Sequence, residues 1–322
     1  MKYSNKHDVP LGLAVWLVAD DYDYSSEEKY ISATTLLKPL KQIILSRRVD
    51  ESTSSTDVSE LIARSMGTGL HDSIEKAWRF NYKTSLKALG YSDSLIEKIK
   101  INPTDDELEP DTVPIYLEQR AVKELNGWKI GGKFDLVMDG MLNDYKSTSV
   151  YSYINSSKDL DYCQQGSIYR WLNPSKIKSD FIRINFIFTD WSSVSAEREA
   201  NYPKNKIAYK DITLMTEPET EKFISNKLKQ LDSYMDAPEE AIPPCTDEEL
   251  WRAPTKFKYF SDKTKTNGRS QKNFDNQAEA NKYWLVDKKG KGIVIAFPGL
   301  PKRCLYCQAA SICKQKKEMF GE

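Results

Sequence analysis

The chain has 322 residues, with 47 basic and 47 acidic side chains, 39% hydrophobic residues and 29% charged ones. That length suits one large domain or two ordinary ones and buries a sizeable core. The apolar content excludes a disordered tail protein, which combines low hydrophobicity with a large net charge. Zero net charge means that any nucleic-acid surface must be a local basic patch.

No stretch approaches 18 consecutive apolar residues, so no membrane partner is expected. Residues 1–16 lack a basic-then-apolar leader pattern, and the expectation is a cytoplasmic, enzyme-sized protein. Five cysteines, Cys163, Cys245, Cys304, Cys307 and Cys313, are too few and too uneven for a disulfide framework. Three of them crowd near the C-terminus, which points to metal ligation. With only His7 and His71 present, most histidine-rich metal sites are removed.

In chain order, residues 1–31 form a polar, Tyr-rich arm. Residues 32–49 read as a helix, with Leu36, Leu37, Leu40, Ile43, Ile44 and Leu45 as its apolar stripe. Residues 50–56 are a Ser/Thr-rich loop. Residues 57–89 read as helix broken near Gly67 and Gly69, and the acidic, Pro-containing residues 103–114 as a loop. The period then changes to two. Residues 115–125, 128–138 and 141–147 are expected strands, the last two joined by an Asp139-Gly140 hairpin turn. Helix returns at 160–172, strands follow at 181–190 and 207–214, and a helix at 217–235. Beyond Pro238 the chain turns irregular and basic. The expected domains are the 1–31 arm, a 32–236 core and a 237–322 C-terminal module, in an α/β fold.

A two-residue turn at Asp139-Gly140 sets Asp135 opposite Asp144, with Lys146 on the same face. Opposed carboxylates repel, and a divalent cation between them removes the conflict; Mg²⁺ or Mn²⁺ suits oxygen ligands. An ordinary solvated Asp–Lys face is the alternative.

Gly132-Lys133-Phe134-Asp135 followed by Asp144-Tyr145-Lys146 resembles the core of the PD-(D/E)xK nuclease superfamily, more narrowly the RecB-like nucleases, with Phe134 where the superfamily proline stands. Gly67-Thr68-Gly69-Leu70-His71 with Glu75 resembles their histidine-bearing helix. Gln165-Gly166-Ser167-Ile168-Tyr169 resembles their QxxxY motif, and Glu118 stands where relatives often carry an acid. The resemblance implies a restriction-endonuclease-like core, a mixed central sheet flanked by helices, behind an N-terminal helical region. It implies His71, Asp135, Asp144 and the Tyr145 carbonyl as metal ligands, Lys146 as catalytic lysine, and Gln165 and Tyr169 as shapers of the DNA and metal environment.

Cys245 with Cys304-x2-Cys307-x5-Cys313 is similar to the iron–sulfur staple of AddB-type helicase-nucleases and CRISPR-associated RecB-like exonucleases. In those relatives the lone cysteine precedes the core, whereas Cys245 follows it. The resemblance implies a 4Fe–4S cluster, with a four-cysteine zinc (Zn²⁺) site or unligated thiols as the alternatives. Cys163 reads as a core thiol. Lys256, Lys258, Lys263, Lys265, Arg269 and Lys272 interleave with Phe257, Tyr259 and Phe260, a pattern for DNA contact or for a solvated loop.

The implied function is a metal-dependent DNA exonuclease in recombination or end processing, phage or mobile-element encoded. The expected partners are DNA with free ends, a recombination protein and a homo-oligomer. A structure-specific or restriction-like endonuclease and a non-catalytic DNA-end-binding protein are the alternatives.

Overall fold

Left-handed backbone at Asn126-Gly127 and Asp139-Gly140, all four residues at positive φ, closes two tight hairpins in the middle of the chain. This pairing of Asx with Gly is what a two-residue turn between twisted strands requires. The surrounding fold, a computed structural model describing residues 2–20, 25, 27–50 and 55–321, is mixed α/β with sheets flanked by helices. The acidic end of the N-terminal arm and the Ser/Thr-rich loop at 50–56 lie partly outside the described residues. Among the described residues, no helix is long and apolar enough to cross a membrane.

The chain divides into two compact units, Met1–Lys38 with Asp50–Asp232, and Pro39–Val49 with Ser233–Glu322. In the first, β1 (Lys2–Ser4) and β3 (Ser55–Asp57) form a parallel pair, and β2 (Tyr30–Ser32) joins β6 (Arg120–Leu125) and β7 (Trp128–Lys133) in a three-stranded sheet of order β2-β7-β6. The main sheet has the order β11-β10-β9-β8-β5-β4, from β4 (Ile99–Ile101), β5 (Val113–Leu117), β8 (Leu136–Met138), β9 (Met141–Thr148), β10 (Phe181–Phe188) and β11 (Ile207–Thr213). β9 and β10 run parallel and β8 and β9 antiparallel, so the sheet is mixed. Ile182, Ile184, Phe186 and Phe188 alternate into the core along β10, and the helix Asp159–Leu172 buries Ile168, Tyr169 and Trp171.

Four expectations change. The helix expected at 32–49 is two helices, Ala33–Leu36 and Leu40–Arg48, because Pro39 stops the first and caps the second. The helix Ile62–Lys76 runs straight through Gly67 and Gly69 and alters only at a π-type turn, Ala77–Asn81. Each glycine there costs about 1 kcal/mol against alanine, which a helix packed along one face absorbs. The strands expected at 115–125 and 128–138 each break in two, at Glu118 and at Phe134-Asp135. The segment beyond Pro238, expected irregular, forms a three-stranded antiparallel sheet from β12 (Lys256–Phe260), β13 (Lys272–Phe274) and β14 (Ile293–Phe297).

In the second unit, Tyr259, Phe274 and Ala280 form a small core with Phe257, Tyr283, Trp284 and Val294. The Arg48 guanidinium donates to the carbonyls of Met235 and Ala237, both at 2.7 Å, and buried Lys41 pairs with Glu239 at 3.2 Å.

Candidate active site

The site forms where two adjacent strands leave one sheet for another. β5 and β8 pair in the main sheet, and their continuations β6 and β7 pair in the three-stranded sheet. At the crossing, Glu118 takes a left-handed φ of 49° and its N–H donates to the Asp135 carbonyl at 3.0 Å; the Phe134 N–H donates to the Gln119 carbonyl at 3.3 Å. The Asn102 side-chain oxygen accepts from the Leu117 N–H at 2.8 Å and from Gln119 Nε2 at 3.0 Å, which holds the bend. Such strained backbone persists where its surroundings over-determine it.

The bend brings three ligand types together. One ligand atom each from His71, Glu118 and Asp135 lies within 4.8 Å of the others, a set able to hold a metal ion. His71 Nδ1 is 3.5 Å from Asp135 Oδ1, and Nε2 is 2.9 Å from the Tyr145 carbonyl oxygen. The Tyr145 N–H donates to Asp135 Oδ2 at 3.1 Å. Burial and then the charge of Asp144 push the Asp135 carboxyl up to about 7, against the lowering effect of His71 and Lys146.

Asp144 is almost wholly buried and lies beside Ile184 of β10. The observed pairs Leu136↔Asn143, Val137↔Leu142 and Met138↔Met141 are the register that sets Asp135 against Asp144, although regular pairing stops at Leu136. Lys146 Nζ is 2.6 Å from Asp144 Oδ2. Burial works against the Lys146 charge, but Asp144 and Asp135 outweigh it and hold the ammonium pKa above its ordinary value. Gln165 Nε2 donates to Asp144 Oδ1 at 3.4 Å and to the Tyr169 hydroxyl at 3.1 Å. A Cβ on Gly132 would come within 2.8 Å of Leu172 Cδ1 and 2.9 Å of Tyr169 Cε1. The glycine therefore lets the Gln165–Tyr169 helix lie against β7, tying the Gly132–Asp135 motif to the Gln165–Tyr169 motif.

His71, Asp135, Asp144, Tyr145, Lys146, Gln165 and Tyr169, each singled out in the sequence, thus meet in one place. Glu118, singled out as standing where relatives of the resembled family carry an acid, joins them, whereas Lys133, 2.5 Å from Glu118 Oε2, was not legible as part of the site. The signal that could have found Lys133 is the adjacency of Gly131-Gly132 to the end of an otherwise regular strand. Glu75 pairs with Arg79 at 2.7 Å instead of reaching the site, and Trp78 packs against the cluster of Ile99, Ile115, Leu117 and Leu136.

Cys245, Cys304, Cys307 and Cys313 line one cavity of the second unit, with Lys41, Gln42 and Arg303 on its wall. Gln315 clamps the Cys245 backbone with two hydrogen bonds of 2.9 Å. Burial, then Glu249 and the other three thiols, push Cys245 up to about 12. Among the described residues, however, His71–Glu118–Asp135 is the group of three ligand atoms that closes to within 4.8 Å, and the cysteines do not. The four-thiolate centre expected from the sequence is not formed by the side chains as they stand. They share a cavity as thiols outside any disulfide, and Cys163 lies half-buried elsewhere.

Of the basic residues singled out at 256–272, Lys256 pairs with Asp275 and Lys265 with Asp262 at 3.8 Å. Lys258 lies over the Phe297 ring at 4.2 Å and Lys272 over Tyr283 at 4.6 Å. Lys263 and Arg269 are exposed on the connection between β12 and β13.

No family model matches the chain, and no curated protein matches it. Among solved structures it is similar to SSO0001, at 15% identity over 70% of this chain and 87% of that one, with a TM-score of 0.43. It is also similar to a phage-related exonuclease from Haemophilus somnus 129PT, at 15% identity over 64% of this chain and 96% of that one, with a TM-score of 0.26. Likenesses this distant assign no residue a role.

Proposed function

We propose that the chain is a divalent-metal-dependent DNA nuclease of the PD-(D/E)xK type, acting as an exonuclease in recombination or end processing. The observation that carries this reading is the group His71–Glu118–Asp135, drawn to within 4.8 Å at a strained strand crossing, beside Asp144 and Lys146. Mg²⁺ or Mn²⁺ fits this donor set, because its oxygens come from carboxylates gathered with His71, and burial together with the charge of Asp144 pushes the Asp135 carboxyl toward its neutral form. His71, Asp135, Asp144, Glu118 and the Tyr145 carbonyl would hold it. When bound, a divalent cation neutralises charge developing on a scissile phosphate and makes water a stronger acid.

The chain's own residues do the rest. Lys146, held protonated by its acidic neighbours, offers a positive charge and N–H donors to a phosphate oxygen. Gln165 orients Asp144 and is itself braced by Tyr169. His71 fixes the Tyr145 carbonyl, and Asp135 fixes the Tyr145 N–H, so the β9 backbone at the site cannot rotate.

The same reading gives the second unit a 4Fe–4S cluster, or zinc, on Cys245, Cys304, Cys307 and Cys313, supported by the cavity these four line. It gives the same unit the DNA-holding role, since residues 256–317 carry 15 Lys and Arg against 4 Asp and Glu.

The test is incubation with end-labelled linear and closed circular DNA, single- and double-stranded, in Mg²⁺ and in Mn²⁺. Mononucleotides or short ends released from linear DNA alone support the exonuclease. Cutting of closed circles moves the reading to an endonuclease, and binding of ends without cleavage moves it to a non-catalytic end-binding protein.

A further inference from the structure

Two residues at the strand crossing take left-handed backbone, Glu118 at φ 49° and Asn102 at φ 50°. Asparagine tolerates that region and glutamate does so only where its surroundings impose it. The Asn102 N–H donates to the Ile115 carbonyl at 2.7 Å, while its side-chain oxygen takes the Leu117 N–H at 2.8 Å. From there the hydrogen bonds run on. Gln119 Nε2 donates to the same Asn102 Oδ1 at 3.0 Å, and Gln119 Oε1 accepts from Lys176 Nζ. The Lys176 ammonium also lies 5.0 Å from the centre of the buried Tyr116 ring. Lys176 follows the helix that carries Gln165 and Tyr169. Its N–H donates to the Asn173 carbonyl at 3.1 Å, and buried Asn173 donates its N–H and its Nδ2 to the Tyr169 carbonyl, both at 3.0 Å.

The direction of this relay is forced at both ends. An ammonium only donates, so Gln119 must turn its oxygen to Lys176. A backbone N–H only donates, so Asn102 must turn its oxygen to Leu117. The middle contact, an amide N–H on an amide oxygen, is the one those two choices leave. The residues so fixed, Leu117 and Gln119, are the two chain neighbours of Glu118.

We propose that Lys176 is a positioning residue for Glu118: by fixing the Gln119 amide, and through it the Asn102 amide, it locks the left-handed backbone that sets the Glu118 carboxylate beside His71 and Asp135. The proposal rests on the nuclease reading above, in which Glu118 holds a divalent cation. It makes the bend bearing Glu118 and the helix bearing Gln165 and Tyr169 one frame. Groups that orient a ligand without touching the ion typically change metal affinity by about 10-fold or more. Charge alone predicts the opposite sign, because removing a positive charge favours a cation.

The test uses the full chain and two readouts other than cleavage: Mn²⁺ affinity by electron paramagnetic resonance titration, and hydrogen exchange of the Leu117 N–H by NMR in EDTA. Lys176→Glu, which presents an acceptor to Gln119 and reverses the relay, binds Mn²⁺ about 10-fold more weakly and exchanges the Leu117 N–H faster. Lys176→Met shows a smaller loss in both, and Lys176→Arg, which keeps a donor, stays near the wild type. In a Glu118→Gln background Lys176→Glu weakens Mn²⁺ binding no further, since the ligand it positions is gone; an equal loss there marks general damage and overturns the proposal. Mn²⁺ binding by Lys176→Glu as tight as the wild type's, or tighter, sinks this inference alone. A wild type that binds no Mn²⁺ sinks the nuclease reading with it.

Discussion

The two units divide the chain's charge as unevenly as the whole is balanced: the first carries 28 basic and 35 acidic residues, the second 19 and 12. Their candidate metal sites differ in the same spirit. At the carboxylate site, backbone hydrogen bonds through Tyr145 and Glu118 fix the ligand-bearing strands before any ion arrives. At the cysteine cavity the four thiols come from segments far apart in sequence, and they line a common space without closing on it. The contrast is between candidate ligands held in place by strand geometry and thiols that would need a metal to draw them together.

The largest expected effect separates these two kinds of site. Asp144→Ala or Lys146→Ala abolishes cleavage, by about a thousandfold or more, while DNA affinity stays largely intact; the checks are single-turnover cleavage and anisotropy on the same preparations. Full-rate, metal-dependent cutting by Asp144→Ala would break the site assignment. Next, EDTA removes activity at once and Mn²⁺ restores it, while a visible absorption near about 400 nm survives the treatment. If both properties vanish together, the two sites are not independent.

Cys307→Ser should act in the opposite sense, costing solubility and heat stability before it touches cleavage by the remaining folded protein. Iron, sulfide and zinc analysis of the wild type decides whether the thiols hold an iron–sulfur cluster, zinc or no metal. A smaller effect sharpens the packing argument at the first site. Gly132→Ala presses on Tyr169 and Leu172 and costs about 1–3 kcal/mol of stability, read by denaturant titration. It also lowers the turnover rate through Gln165 without changing the metal requirement.

The smallest is a pH effect remote from both sites. Asp57 accepts hydrogen bonds from the Lys6 N–H, Ser4 Oγ and Ser59, which hold its carboxyl well below the usual carboxylate range. A depressed folded pKa adds stability above the unfolded value of about 4 that is lost as the pH falls toward the folded one. Melting temperature should therefore drop between about pH 4 and pH 2, and Asp57→Asn should flatten that slope. An unchanged slope would contradict the role given to this carboxylate.

Much of the first unit was legible because its signals are local. Asp139-Gly140 fixes a turn, the turn fixes a register, and the register sets Asp135 against Asp144. The Gln165–Tyr169 spacing fixes one helical face. What escaped was non-local. Nothing in residues 115–138 announces that both strands change sheets together, because alternation continues through the bend and the cause, Asn102 gripping Leu117 and Gln119, lies in another segment. For that reason Glu118 was legible only through the family resemblance, and Lys133 looked like surface. In the second unit a small sheet stands where a loop was expected: its strands pair around Tyr259 and Phe274, and Lys258 and Lys272 lie over aromatic rings of the same sheet and core.

The central claim is that the strand crossing builds a divalent-cation site from both halves of the long hairpin. Its most direct test is the position of Mn²⁺ located by anomalous scattering in crystals of the full chain. The account predicts a peak coordinated by His71, Glu118, Asp135 and Asp144. Mn²⁺ bound elsewhere, with Asp135 and Asp144 still paired only to their protein neighbours, would contradict it.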